Sequence, residues 1–176
     1  KSAYVSPSMA VSHPNVLIDF EVQSQWISTC AGLFKRELFD RYEFPRQFIT
    51  YSNNEYLMFS YNLFLNNEGL MLYTNKAKYR DLQTNSGRIS IKALTYQIQT
   101  YDLYIFLKLF KKSPLNILIY IRSRLRILIY NLVRLFFYRS YSFINYFDVV
   151  YAIFYPFKNI RLILKGNLSF YENDFY

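Results

Sequence analysis

Polar and apolar positions divide the chain into two regimes. Up to about residue 90 the patterns are short and mixed, and beyond it they become long and helical. Ile27 to Leu33 is small or apolar and Lys35-Arg36-Glu37 follows, so a short buried strand near Ile27–Ala31 is expected to turn into a short helix. Pro45 ends that element, because proline lacks the backbone donor and disfavours helix at the residue before it. Ser52 or Asn53 can cap a second helix, expected from Asn53 to Leu65 and ended by Asn66-Asn67 and Gly69. Leu70 to Thr74 then reads as a strand. Upstream, Lys1 to Asn15 reads as loop, Val16 to Phe20 as a short strand or a helix opening, and Trp26 as a core or lid anchor.

After Ser90 the spacing is helical. Leu94, Ile98, Tyr101, Ile105 and Leu109 form an apolar stripe on a helix expected over Ile89 to Lys112. Pro114 breaks it and suits the first turn of a second long helix, Leu115 to Arg139. That helix is apolar nearly all round, with Arg122, Arg124 and Arg126 in its middle. Tyr141 to Phe157 is aromatic and ends at Pro156, and Ile160 to Lys165 is a short turn stopped by Gly166-Asn167. Glu172 to Tyr176 is expected to fray. The fold class is therefore a partial α/β unit followed by long amphipathic helices, predominantly helical overall. It divides into residues 1–90, a basic helical region 91–139 and an aromatic helical tail 140–176.

Composition narrows the chemistry. A single Cys, Cys30, excludes an intrachain disulfide framework and a multi-cysteine zinc site. A single His, His13, argues against a His-based metal site or a Ser-His-Asp triad. Nineteen Tyr and 17 Phe among 176 residues match what an AT-rich genome supplies together with Ile, Asn and Lys, so they do not by themselves argue for sugar stacking. Most of the net charge of +9 lies between Lys92 and Arg139, where Asp102 is the lone acid. Lys108, Lys111, Lys112, Arg122, Arg124, Arg126 and Arg134 are interleaved with Leu, Ile, Phe and Tyr. That mixture suits an anionic membrane surface better than nucleic acid. A spanning helix is not expected, because each Arg at a bilayer centre costs roughly 2.5–3.5 kcal/mol.

The stretch Phe34-Lys35-Arg36-Glu37-Leu38-Phe39, Phe44-Pro45, Tyr51, Glu55, Tyr79-Arg80, Ser86 and Ser90 resembles the acceptor-side half of family 2 glycosyltransferases of the GT-A type, enzymes that build bacterial surface glycans. The resemblance implies sugar transfer from a nucleotide-sugar to a glycan or lipid-linked acceptor, at the inner face of the cytoplasmic membrane. It implies that Tyr79, Arg80, Ser86 and Arg88 lie near the donor phosphates, where guanidiniums fork onto phosphate oxygens. It also implies a divalent cation, Mg or Mn, in a full-length parent. No D-x-D, G-x-G-x-x-G or P-loop occurs in the chain, so under this reading it is the C-terminal portion of a longer enzyme or a relic of one, inactive by itself. The family's acidic pair, which carries the general base, falls on Ser52-Asn53 or, one step later, on Asn53-Asn54, and an Asn amide cannot take a proton near neutral pH. Either Glu55, the nearest carboxylate, has taken that role, or the site is dead. The alternative from another class is a non-catalytic, membrane-peripheral helical module for binding or scaffolding.

Overall fold

The computed structural model describes residues 3–12, 21–27, 32–48, 54–74, 90–138 and 142–175. They form two compact units. One comprises Lys1–Ser6 with Ala10–Gly87, and the other Pro7–Met9 with Arg88–Tyr176. The protein is predominantly helical with one small sheet.

In the first unit, β1 (Val22–Ser24) pairs antiparallel with β2 (Met71–Tyr73), Gln23 lying opposite Leu72. Alternation sets the sides: Val22 and Ser24 are buried and Gln23 is exposed. The strand expected at Ile27–Ala31 falls outside the described residues except for Ile27, which lies outside any strand. The partner of β2 sits earlier in the chain, in a segment with no apolar run to announce it. Residues 3–12, expected as loop, hold no helix or strand but are tied down at several points. Val5 bridges Val11, Ala3 bridges Ser24, and the Val5 backbone N–H donates to Gln25 Oε1 at 2.9 Å. Trp26 is buried, its indole N–H donating to the Ser12 carbonyl at 3.1 Å, as befits a core anchor.

Helix α1 (Glu37–Arg41) is short and buries none of its residues, and the chain leaves it in extended conformation at Tyr42. Helix α2 (Asn54–Leu65) turns Leu57, Phe59, Tyr61 and Leu63 inward. Ser60 is buried as well, and is satisfied by donating to the Tyr56 carbonyl and accepting from the Ile27 N–H. Asn67 at φ 55° and Gly69 at φ 112° end the helix in left-handed backbone, which Asn and Gly tolerate best.

The second unit contains α3 (Ile91–Leu109), α4 (Pro114–Phe137), α5 (Phe143–Lys158), α6 (Ile160–Leu164) and α7 (Ser169–Phe175). Ser90, Ser113 and Ser142 cap the three long helices, each accepting from a backbone N–H three residues on. Helix α5 packs against both α3 and α4. The inward face of α3 differs from the stripe read in the sequence. Leu94 and Ile98 are exposed, while Gln97, Gln99 and Thr100 are buried beside Tyr96, Tyr101 and Ile105. Thr100 is accommodated by donating back to the Tyr96 carbonyl at 2.9 Å. The tail expected to fray is helical as far as Phe175. Tyr171 is fully buried and donates to the Ala93 carbonyl at 2.6 Å. Phe175 packs on Tyr96, Tyr155 and Tyr171, and Asp174 accepts from the Tyr155 hydroxyl at 2.6 Å. Pro156 lies inside α5, which continues to Lys158. Among the described residues no helix is long and apolar enough to cross a membrane.

Candidate functional site

Three of the residues that carry the resemblance converge on one ring. Phe34 and Phe39 flank the start and middle of α1, and Phe44 follows its end. All three pack on Phe59 of α2, with ring centroids at 5.4, 5.5 and 4.8 Å. Phe44 also meets Tyr56 edge-on at 5.0 Å. Aromatic pairs of this kind are worth about 0.5–1.5 kcal/mol each beyond the area they bury. The spaced phenylalanines therefore act as a clamp. They hold the first two turns of α2 in place although α1 itself buries nothing.

Glu55 sits in the first turn of that clamped helix, part-buried, and burial raises its carboxyl above the usual carboxylate range. Desolvation is the cause, because burial disfavours the charged form of a carboxyl group. A polar cluster joins the end of α1 to the segment after α2. The Tyr42 hydroxyl donates to Glu68 Oε1 at 2.6 Å, and Arg41 pairs with Glu68 Oε2 at 2.7 Å. These contacts lower the Glu68 pKa, the Tyr42 hydrogen bond most, and raise that of Tyr42. Two carboxylates of one unit are thus pushed in opposite directions, and the one pushed upward is in the first turn of α2.

Of the other residues singled out in the sequence, Tyr51, Asn53, Tyr79, Arg80, Ser86 and Arg88 lie outside the described residues. Ser90 is described, as the cap of α3. Among the described residues no three His, Cys, Asp or Glu side chains gather to hold a metal ion, so the described part offers no donor set for the implied cation.

The basic set of the helical unit is divided by the structure. Lys108, Lys111, Lys112, Arg122 and Arg126 are exposed. Arg134 is half-buried between the rings of Tyr130 and Tyr138, at 5.8 and 5.7 Å. Arg124, expected to face a membrane with the others, is instead turned inward and only 7% exposed. Its Nη1 donates to Gln99 Oε1 at 2.7 Å and Asp102 Oδ2 at 3.0 Å, and Nη2 donates to the Ser8 carbonyl at 3.0 Å. The guanidinium also lies 4.8 Å from the centre of the Tyr120 ring. The physical reason is the lone acid of the basic stretch. Asp102 is mostly buried on α3, and a planar fork satisfies it and Gln99 together. Asp102 was the available signal in the sequence, but nothing there says which of three neighbouring arginines it selects.

Comparison with protein-family models, with curated proteins and with solved structures finds no match to this chain.

Proposed function

We propose that the chain is the acceptor-side portion of a family 2-type glycosyltransferase, a partial GT-A unit with Glu55 as its general base. The observation that carries this reading is the clamp. Phe34, Phe39 and Phe44, all from the motif residues, meet on Phe59 and fix the helix start from which Glu55 projects. A carboxylate raised toward neutrality by burial is better suited to take a proton than an ordinary exposed one. In the step proposed, an acceptor hydroxyl oxygen bonds to the anomeric carbon of a nucleotide-sugar. The bond from that carbon to the diphosphate oxygen breaks, the hydroxyl proton passes to Glu55, and the nucleoside diphosphate leaves with the bonding electron pair. Donor binding falls to a nucleotide-binding half outside this chain. A non-catalytic membrane-peripheral module remains the competing reading, favoured by the exposed apolar face of α4.

The test joins this chain behind a family 2 nucleotide-binding half that carries a D-x-D, and follows labelled sugar from a panel of nucleotide-sugars into membrane acceptors. Transfer is expected, and Glu55→Gln should lower it by about 10²–10⁴-fold, the usual worth of a general base. Glu68→Gln, on the other carboxylate, should leave it within a few-fold. Transfer indifferent to Glu55→Gln would remove Glu55 from the chemistry. A folded chimera that transfers nothing while binding vesicles would favour the non-catalytic module.

A further inference from the structure

Helix α4 is inverted relative to an ordinary helix of a water-soluble domain. Its buried residues are Tyr120, Arg124 and Asn131, two of them polar. Its exposed residues include Leu118 at 62%, Leu125 at 52%, Ile129 at 61% and Phe136 at 75%. With Ile121 and Leu132 these recur every three or four residues, so they form one continuous stripe along the helix. A run of large apolar side chains left in water is a signature of something that covers it.

Charge says what covers it. Arg122 and Arg126 are one turn apart along a flank of the stripe, and Lys111 and Lys112 precede the helix, all four exposed. Three acids of the same unit are engaged: Asp102 with Arg124, Asp148 with Lys92 at 3.2 Å, and Asp174 with the Tyr155 hydroxyl. The surface around the stripe therefore presents cations with little to offset them. A second copy of the chain would set these cations against each other. An anionic lipid surface complements both features, since it takes apolar side chains at the acyl boundary and cations at its phosphates. The helix has 24 residues, a length of roughly 36 Å at about 1.5 Å per residue, and does not qualify as a span, so the fitting orientation is in the plane of the interface.

We propose that α4 is an interfacial anchor, its stripe from Leu118 to Phe136 entering the headgroup–acyl boundary of an anionic bilayer while Arg122 and Arg126 reach the lipid phosphates. This inference is independent of sugar transfer and holds for an enzyme portion or a scaffold alike. Arg124 takes no part in it, because its guanidinium is committed to Asp102, Gln99 and Ser8.

The test is flotation of the whole 176-residue chain with vesicles of phosphatidylcholine alone or doped with phosphatidylglycerol. Binding is expected on the doped vesicles, weakened by salt, and much weaker on the neutral ones. Arg122→Gln with Arg126→Gln should reduce affinity for doped vesicles by about 25-fold at low salt, about fivefold per cation. Leu125→Gln with Ile129→Gln should abolish binding to both kinds. If circular dichroism shows that this pair loses helix, Leu118→Gln with Phe136→Gln makes the same test at the ends of the stripe. Equal affinity for neutral and doped vesicles, or affinity unmoved by either pair, would overturn the proposal. So would a concentration-dependent dimer that the Leu125/Ile129 variant abolishes and that binds no vesicles, which would assign the stripe to a second copy.

Discussion

Replacing Asp102 by Ala would leave Arg124 charged, buried and without its counter-ion. Side-chain exposures of 8% for Arg124 and 13% for Asp102 put this pair close to the interior limit, where removing one partner costs about 3–5 kcal/mol. Arg124 would keep the Gln99 and Ser8 acceptors and the Tyr120 ring, so the lower end applies, about 3 kcal/mol. For a unit of about 90 residues that corresponds to a fall in Tm of roughly 12–24 °C. The double variant Asp102→Leu/Arg124→Met removes both charges and keeps the volume, and it should recover to within about 1 kcal/mol of the parent. Thermal unfolding followed by circular dichroism, completed as a double-mutant cycle, reads both values. Arg122→Met is the control on the same helix and should move Tm little, since Arg122 is exposed. A loss under 1 kcal/mol in Asp102→Ala, or a double variant as unstable as the single one, would refute the account of Arg124 as a buried clamp. The same double variant should bind anionic vesicles about as well as the parent.

Other expectations concern the first unit. Phe59→Ala removes the ring on which Phe34, Phe39 and Phe44 meet and should cost about 3–5 kcal/mol, seen as loss of near-ultraviolet dichroism with the α3–α5 helical signal retained. The two perturbed carboxylates should show opposite pH dependence in urea titrations. Glu68 is held low by Tyr42 and Arg41, so its contribution is present above the unfolded carboxylate pKa and fades as pH falls through the folded value; Glu68→Gln should flatten that acid limb. Glu55 is raised by burial, so its folded state binds the proton more tightly and stability falls as pH rises from the unfolded to the folded value; Glu55→Gln should stabilise the protein at neutral pH.

What was legible in the sequence is local. Helix α2, strand β2, and α3 and α4 with the break at Pro114 all stand within a few residues of where patterning and punctuation put them. Those elements announce themselves through signals a few residues long: Asn67 and Gly69 ending α2, and Pro114 opening α4. The misses are non-local. Strand β1 is three residues with a polar centre, and it exists because β2, almost fifty residues on, supplies its hydrogen bonds. The tail from Glu172 to Tyr176 reads as frayed, yet α7 runs to Phe175. It holds because Tyr171 and Phe175 enter an aromatic cluster built by α3 and α5. The candidate site was legible as the order of motif residues, and the convergence of its phenylalanines on Phe59 was not, because ring contacts depend on how α1 meets α2.

The two faces of α4 show how far a hydropathy pattern can go. A helix apolar nearly all round, with three arginines spaced by two, has several ways to orient. Spacing alone cannot choose among them, since Arg122 and Arg126 lie on one side and Arg124 on another. The choice is made by Gln99, Asp102 and the Ser8 carbonyl, groups remote in sequence that together provide three acceptors for one guanidinium. Once Arg124 turns inward, Asn131 shares its face and donates to the Ile127 carbonyl at 2.8 Å, while the leucines and isoleucines of the stripe are turned to water. That arrangement is costly for an isolated domain, because it buries a charge that must be desolvated and leaves apolar area uncovered. It becomes favourable when the outer face meets a phase that accepts both its apolar stripe and its flanking cations. The orientation of Arg124 and the membrane affinity proposed for α4 are therefore two consequences of one packing choice. A variant that releases Arg124 to the surface should weaken the anchor by rotating the stripe, without any change to the stripe itself.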